Sequence, residues 1–144
     1  MDRINDPSTH AELTALAWRY ERALVSNDIP TLDALFWQAP EVVRLGATEN
    51  LYGEAQIRAF RKARPTANLA REVRDLRVVT FGDDTGCVTL EFVRVIDGAE
   101  RHGRQSQTWR KFADGGWKVV SAHISVLAAP PLRITISDEG TAAG

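Results

Sequence analysis

The stretch from Cys87 to Phe112, CVTLEFVRVIDGAERHGRQSQTWRKF, decides the fold. Apolar and polar residues alternate along its first half, which is the pattern of a half-buried strand. Asp97-Gly98 then supplies a two-residue turn in which both positions accept positive φ cheaply. With that turn in place the pairing is fixed: Glu91 faces Arg104, Leu90 faces Gln105 and Thr89 faces Ser106. A slip of one residue would turn every apolar side chain to the wrong face.

Strands follow on both sides of this hairpin. A four-residue loop from Ala113 to Gly116 leads into a strand-like run from Trp117 to Leu127, and sets Gln107 opposite Ala122 and Ser106 opposite His123. Upstream, Arg71 to Phe81 alternates in the same way and turns back through Gly82-Asp83-Asp84. The second half of the chain therefore reads as an antiparallel meander of four strands.

The first half is helical. Thr9 and Glu12 have capping-box spacing, and Leu13, Leu16, Ala17, Tyr20 and Leu24 recur on one helical face. Asn27 and Asp28 interrupt that helix and cap a second, in which Pro30 is tolerated in the first turn and Pro40 marks the stop. Glu41 to Leu45 reads as a short strand ending near Gly46. Gly53 precedes a third helix with Ile57, Phe60, Arg61 and Arg64 on one side, ended by Pro65. The expected organisation is a polar arm over residues 1–8, one domain over 9–128, and a tail over 129–144. In the tail, Pro130-Pro131 breaks the last strand, Leu132 to Ile136 has the composition of a short extra strand, and Ser137 to Gly144 should be disordered.

Two helices, a strand, a third helix and four hairpin-ordered strands resemble the NTF2-like, or SnoaL-like, superfamily. The resemblance implies an α+β cone: about three helices on a curved antiparallel sheet, with one pocket at the open end.

Composition narrows the function. The 144 residues are enough for one core, and 18 basic against 19 acidic residues leave a formal charge of −1. Such a balance offers no global field for nucleic acid or an anionic membrane, so any anion recognition is local. Cys87 is the single cysteine, which excludes an internal disulfide and a cysteine zinc cluster and agrees with a reducing compartment. The polar stretch from Met1 to His10 lacks the apolar run of a signal peptide, so the cytoplasm is the expected location. His10, His102 and His123 show no ligand spacing, and no metal or cofactor is expected. No GxSxG, GxxxxGK[ST] or GxGxxG pattern occurs, which argues against serine-hydrolase, P-loop and dinucleotide chemistry.

Strand parity puts Val88, Leu90, Phe92, Trp109, Val120, Ala122 and Ile124 on the core face. Thr89, Glu91, Arg104, Ser106, Thr108, Ser121, His123 and Ser125 fall on the outer face. Val93, Val95 and Val119, set among those polar groups, suggest a homodimer through that face. Gln105 and Gln107 are the exceptions on the core side. As buried amides they either bond within the protein or line a wet pocket for a ligand. Tyr20 on the apolar stripe of the first helix is either a satisfied core tyrosine or a pocket residue. Arg44, between Val43 and Leu45, needs a carboxylate: either a core acid such as Glu54, Glu72 or Glu91, or an anionic ligand. Arg64 is a second cation for such a site, a solvated helix end, or half of an internal ion pair.

Tyr20 to Leu24, Leu35-Phe36-Trp37, Val43 to Gly46, Glu49 to Gly53, Ile57 to Arg61 and Gly103 to Trp109 together resemble the AtzH-like family, also called HpxZ-like proteins of oxalurate catabolism. The likeness runs from about Leu13 to Leu127. It implies a metal-free amidohydrolase acting on small carboxylated ureas such as 1,3-dicarboxyurea or oxalurate by decarboxylating amide hydrolysis. It assigns the family's tyrosine and arginine to Tyr20 and Arg44. On that reading Arg44 anchors a substrate carboxylate and Tyr20 exchanges a proton with the departing nitrogen or a water, while Gln107, with Gln105 or Arg64, orients the ureido group. The competing readings are a non-catalytic anion-binding or accessory protein of a ureide or triazine pathway, and a cofactor-free lyase or isomerase.

Overall fold

Asp97 and Gly98 both take positive φ, and the turn they form closes β4 (Thr85–Ile96) onto β5 (Ala99–Phe112) with Ile96 opposite Ala99. The computed structural model describes residues 2–136. Along the hairpin Glu91 faces Arg104, Leu90 faces Gln105 and Thr89 faces Ser106, the register that alternation and turn length predict. On the far side of β5 lies β6 (Gly116–Val126), with Gln107 opposite Ala122 and Ser106 opposite His123. β3 (Glu72–Phe81) pairs with β4 to complete the meander.

Two features of the sheet depart from expectation. A bulge lies where β5 passes from Thr108 to Trp109: Thr108 faces Ser121 and Trp109 faces Val119, so Val120 is the extra residue. Parity therefore inverts along β6. Val119 and Trp117 point into the core, Val120 is half-buried, and the expected outward place of Val119 is corrected. Val93 is also buried, while Val95 is exposed. The second departure is the sheet's other end. β1 (Val43–Leu45) joins β6 in parallel, and β2 (Asn50–Tyr52), too short for any periodic signal, pairs back on β1. The result is a mixed six-stranded sheet in the order β2-β1-β6-β5-β4-β3.

Three helices cover one face: α1 (Pro7–Val25), α2 (Ile29–Leu35) and α3 (Glu54–Ala63). Leu13, Ala17, Tyr20 and Leu24 of α1 meet Val88, Trp109 and Ala122 in the core. Helix α1 starts two residues before Thr9, because Asp6 is the better cap. Its carboxylate accepts from the Thr9 amide at 3.2 Å and the Thr9 hydroxyl at 3.1 Å, with Pro7 in the first turn. The polar arm is tied down as well, since the Asn5 amide donates to Thr80 O at 3.0 Å and Asn5 Oδ1 accepts from the Thr80 amide at 2.9 Å. Asp28 caps α2 as expected, accepting from the Thr31 amide at 3.2 Å. That helix ends at Leu35, well before Pro40, because Phe36 turns extended to bridge Val119.

Residues 132–136 add no strand to the sheet; Arg133 instead grips Glu91 on the outer face through bonds of 2.9 and 2.5 Å. The disorder expected for Ser137 to Gly144 lies outside the described residues. Among those residues no helix is long and apolar enough to cross a membrane.

Candidate functional site

Where the helices open away from the sheet, a cavity of about 240 Å³ lies between the end of α3, β1 and the far ends of β4 to β6. Its charged walls are Arg44, Glu49, Arg64, Arg71 and Arg94, with Gln105 and Asn68 as polar neutrals and Phe60, Leu69 and Ile124 among the apolar ones. Each guanidinium arrives by a different route. Arg44 comes from β1 opposite Ala122, Arg64 caps the C-terminus of α3, Arg71 leads into β3, and Arg94 shares the inner face of β4 with Leu90 and Phe92.

Two of these cations are already answered. Arg44 Nη1 donates to Glu49 Oε1 at 3.0 Å, and its guanidinium lies 5.4 Å from the Phe60 ring centroid. The partner is Glu49, not Glu54, Glu72 or Glu91, because the turn between β1 and β2 folds Glu49 back over the strand. Arg71 pairs with Glu21 of α1 through both its Nε, at 3.0 Å, and its Nη2, and that Nη2 also donates to Gln105 Oε1 at 3.1 Å. The Arg71 side chain is 1% exposed and that of Glu21 6%, so this is a buried, fully engaged pair.

The other two cations are not. Arg64 Nε and Nη2 and Arg94 Nε are buried without a hydrogen-bond partner among the described residues. Burial, then the neighbouring Arg44, lowers the proton affinity of Arg64; the phenol of Tyr20 lies near enough to oppose this. Burial, followed by Arg71, pulls Arg94 down to about 10, which still leaves it charged at neutral pH. Unpaired donors and uncompensated charge in one recess are what an anion would satisfy.

The residues singled out from sequence thus divide. Arg44, Arg64 and Gln105 come together in the cavity wall. Tyr20 is buried against Phe36, with ring centroids 6.0 Å apart, and stands behind the wall on the Arg64 side. Gln107 lies deeper in the core, where its Oε1 accepts from Trp109 Nε1 at 3.0 Å and its Nε2 has no partner. Sequence reasoning missed Arg94, Arg71, Glu21 and Glu49. The signal for Arg94 was present, since the parity that turns Leu90 and Phe92 inward turns Arg94 inward as well. Among the described residues no three His, Cys, Asp or Glu side chains converge as metal ligands would.

A family profile described as AtzH-like matches residues 2–130. The chain belongs to the AtzH-like family. This AtzH-like protein is similar to a crystal structure from Pectobacterium atrosepticum described as a protein of unknown function from the DUF3225 family, with 46% identity, 87% of this chain and 95% of that one covered, and a TM-score of 0.82. A cystatin-like fold protein from Burkholderia xenovorans is 40% identical over 90% of this chain and 100% of its own, with a TM-score of 0.84. An NTF2-like superfamily protein from Salmonella enterica, 22% identical over 87% of this chain and 95% of its own with a TM-score of 0.68, shares the fold. No match is found among curated proteins. Family and fold together make this AtzH-like chain an NTF2-like, small-molecule-binding protein.

Proposed function

We propose that the protein is an enzyme acting on a small anionic carboxylated ureido compound of the 1,3-dicarboxyurea or oxalurate type, by decarboxylating amide hydrolysis. The observation that carries the reading is the cavity in which Arg64 and Arg94 stand without partners. A recess of this size, walled by guanidinium groups and only partly by carboxylates, suits a compact anion better than an extended or apolar ligand. Arg44 keeps donors beyond the one given to Glu49 and anchors a substrate carboxylate. Gln105 and Arg64 orient the ureido group, and Gln107 offers its unpaired Nε2 to a ligand that reaches past Gln105. In 1,3-dicarboxyurea the bond between a nitrogen and its carboxylate carbon breaks, carbon dioxide leaves and the electron pair stays on nitrogen. In oxalurate, which has no such bond, water adds to the ureido carbonyl, and the bond from that carbon to the oxalyl-bearing nitrogen breaks with its electron pair left on nitrogen. The carbamate released breaks down to carbon dioxide and ammonia. Tyr20 delivers the proton that nitrogen then takes up, and regains it from water. A homodimer through the outer sheet face, where Val95 is exposed, is part of the same proposal.

The test offers the purified protein 1,3-dicarboxyurea and oxalurate and follows carbon dioxide and ammonia, with Tyr20→Phe and Arg44→Met alongside. Turnover lost in both variants is the expected result. Tight oxalurate binding without turnover would replace the enzyme by an accessory anion-binding protein, and full activity in Tyr20→Phe would remove the phenol from the mechanism.

A further inference from the structure

Four guanidinium groups face the cavity, and only two carboxylates answer them. Glu49 takes Arg44 and Glu21 takes Arg71, so two positive charges remain, on Arg64 and Arg94. Water can satisfy an N–H donor but cannot cancel a charge, and one monoanion would cancel half of what is left.

Arg94 is also held in place by its surroundings. Its guanidinium lies 5.0 Å from the centroid of the Phe92 ring, and Arg71 lies 4.4 Å from the same ring. Phe92 in turn crosses Gly103, its partner on β5: a Cβ on Gly103 would stand 2.0 Å from Phe92 Cζ. Only a glycine leaves room for the ring there. The ring carries two cations, of which one is spent on Glu21 and the other is vacant. A cation stacked on an aromatic face keeps its N–H edges for other acceptors.

The geometry points to Arg94, seated on the Phe92 ring and joined by Arg64, as the receptor for a second anionic group of the ligand, separate from the carboxylate held at Arg44. The site is then two-ended, and Arg94 is the residue that makes it prefer a dianion. This rests on the anion-pocket reading and adds a specificity-determining residue to it.

Malonate and malonamate, which match in size and differ by one charge, are the probes, titrated calorimetrically into the full chain. Wild type should bind malonate about tenfold more tightly than malonamate, the gain expected of one charge-assisted contact. Arg94→Met should bring malonate to the malonamate level and leave malonamate within about twofold, a contrast that misfolding would not produce. Arg94→Gln removes the charge while keeping a polar group, and should behave alike. Equal affinities in wild type, no malonate binding at all, or discrimination retained by either folded variant would each overturn the assignment. Its failure is separable from that of the proposed activity. Malonate discrimination without turnover of either ureido compound leaves Arg94 standing and removes the enzyme, whereas turnover of the dianionic 1,3-dicarboxyurea by Arg94→Met with unchanged KM does the reverse.

Discussion

The carboxylate of Glu49 occupies the space beside the Gly46 backbone: a Cβ on Gly46 would stand 1.8 Å from Glu49 Oε1. That same oxygen accepts from Arg44, while Thr48 Oγ1 holds the other at 2.6 Å. The missing side chain at Gly46 is what lets Glu49 fold back onto the arginine of β1. Gly46→Ala should therefore fold, because the group in the way is the end of a flexible side chain, but it should push Glu49 off Arg44. Leaving that buried guanidinium without its acid should cost about 1–2 kcal/mol of stability. A bound anion should restore most of it, so malonate should raise the melting temperature more in Gly46→Ala and Glu49→Gln than in wild type. Melting curves with and without malonate decide the matter, and equal ligand shifts in all three proteins would refute it.

Gly103 sets a second constraint. Ring atoms of Phe92 lie 2.0, 2.4 and 2.6 Å from where its Cβ would be. Gly103→Ala should displace the ring at a cost of about 1–3 kcal/mol, the range for overpacking a closely packed site. The displaced ring should carry Arg94 and Arg71 with it. The double variant Gly103→Ala, Phe92→Leu should recover stability, since the smaller side chain makes room, but not malonate affinity, since the aromatic seat is gone. Denaturant midpoints and calorimetry on the two variants separate the effects, and recovery of both properties together would show that Phe92 only fills space.

Gly103 and Gly46 also show why some of this molecule could be read from its sequence and some could not. The hairpin from Cys87 to Phe112 was legible to single-residue register, because turn length and period-two alternation fix pairing locally. Asp28 as a cap and Gln105 and Gln107 as buried amides were legible for the same reason. The bulge at Thr108 and Trp109 was not, because inserting one residue costs little and leaves no local mark. Nor was the partner of Arg44: Glu49 reaches it through a four-residue turn whose path depends on the space above Gly46. Which arginines remain unpaired is a property of the whole assembly, since Glu21 and Arg71 meet across fifty residues of chain.

The contact between α1 and the β5–β6 turn should be sensitive to acid. Glu12 Oε1 accepts from Trp117 Nε1 at 2.6 Å and Lys111 Nζ at 2.9 Å, and these two groups, Lys111 first, hold its carboxyl below the ordinary value of 4.5. In the unfolded chain Glu12 takes up its proton near 4.5, and in the folded protein only at lower pH. Between the two the unfolded state binds more protons, so this contribution is complete above about 4.5 and is lost as pH falls through the folded value. Glu12→Gln should therefore be less stable than wild type at pH 7, and the gap should narrow as pH falls below 4.5. The carboxylate is partly exposed, so the difference should be small and should shrink in high salt. Parallel stability curves for the two proteins between pH 7 and 3 would dismiss the contact as a source of acid sensitivity.

Arg94 sets the ligand site against the stability of the fold. Its proton affinity, pulled down to about 10 by burial and then by Arg71, lies below the ordinary value of an arginine. Folding therefore disfavours its charged form, and the unfolded state binds more protons between those two values. As with Glu12, stability rises with pH across that window, but here it is the charged form that is disfavoured: the charge costs stability throughout the neutral range, and the cost falls only as pH rises past about 10. Arg94→Met, which keeps much of the side chain's bulk and loses the charge, should be more stable than wild type at pH 7 without ligand. Because the group is only about half enclosed, screening limits the gain to about 1 kcal/mol. Saturating malonate should reverse the order, because wild type gains the binding free energy and the variant gains much less of it. Denaturant titrations at pH 7 with and without malonate measure both halves. A variant less stable than wild type in the absence of ligand would mean that the Arg94 guanidinium already has its counter-charge within the fold, and that no vacancy waits for a substrate.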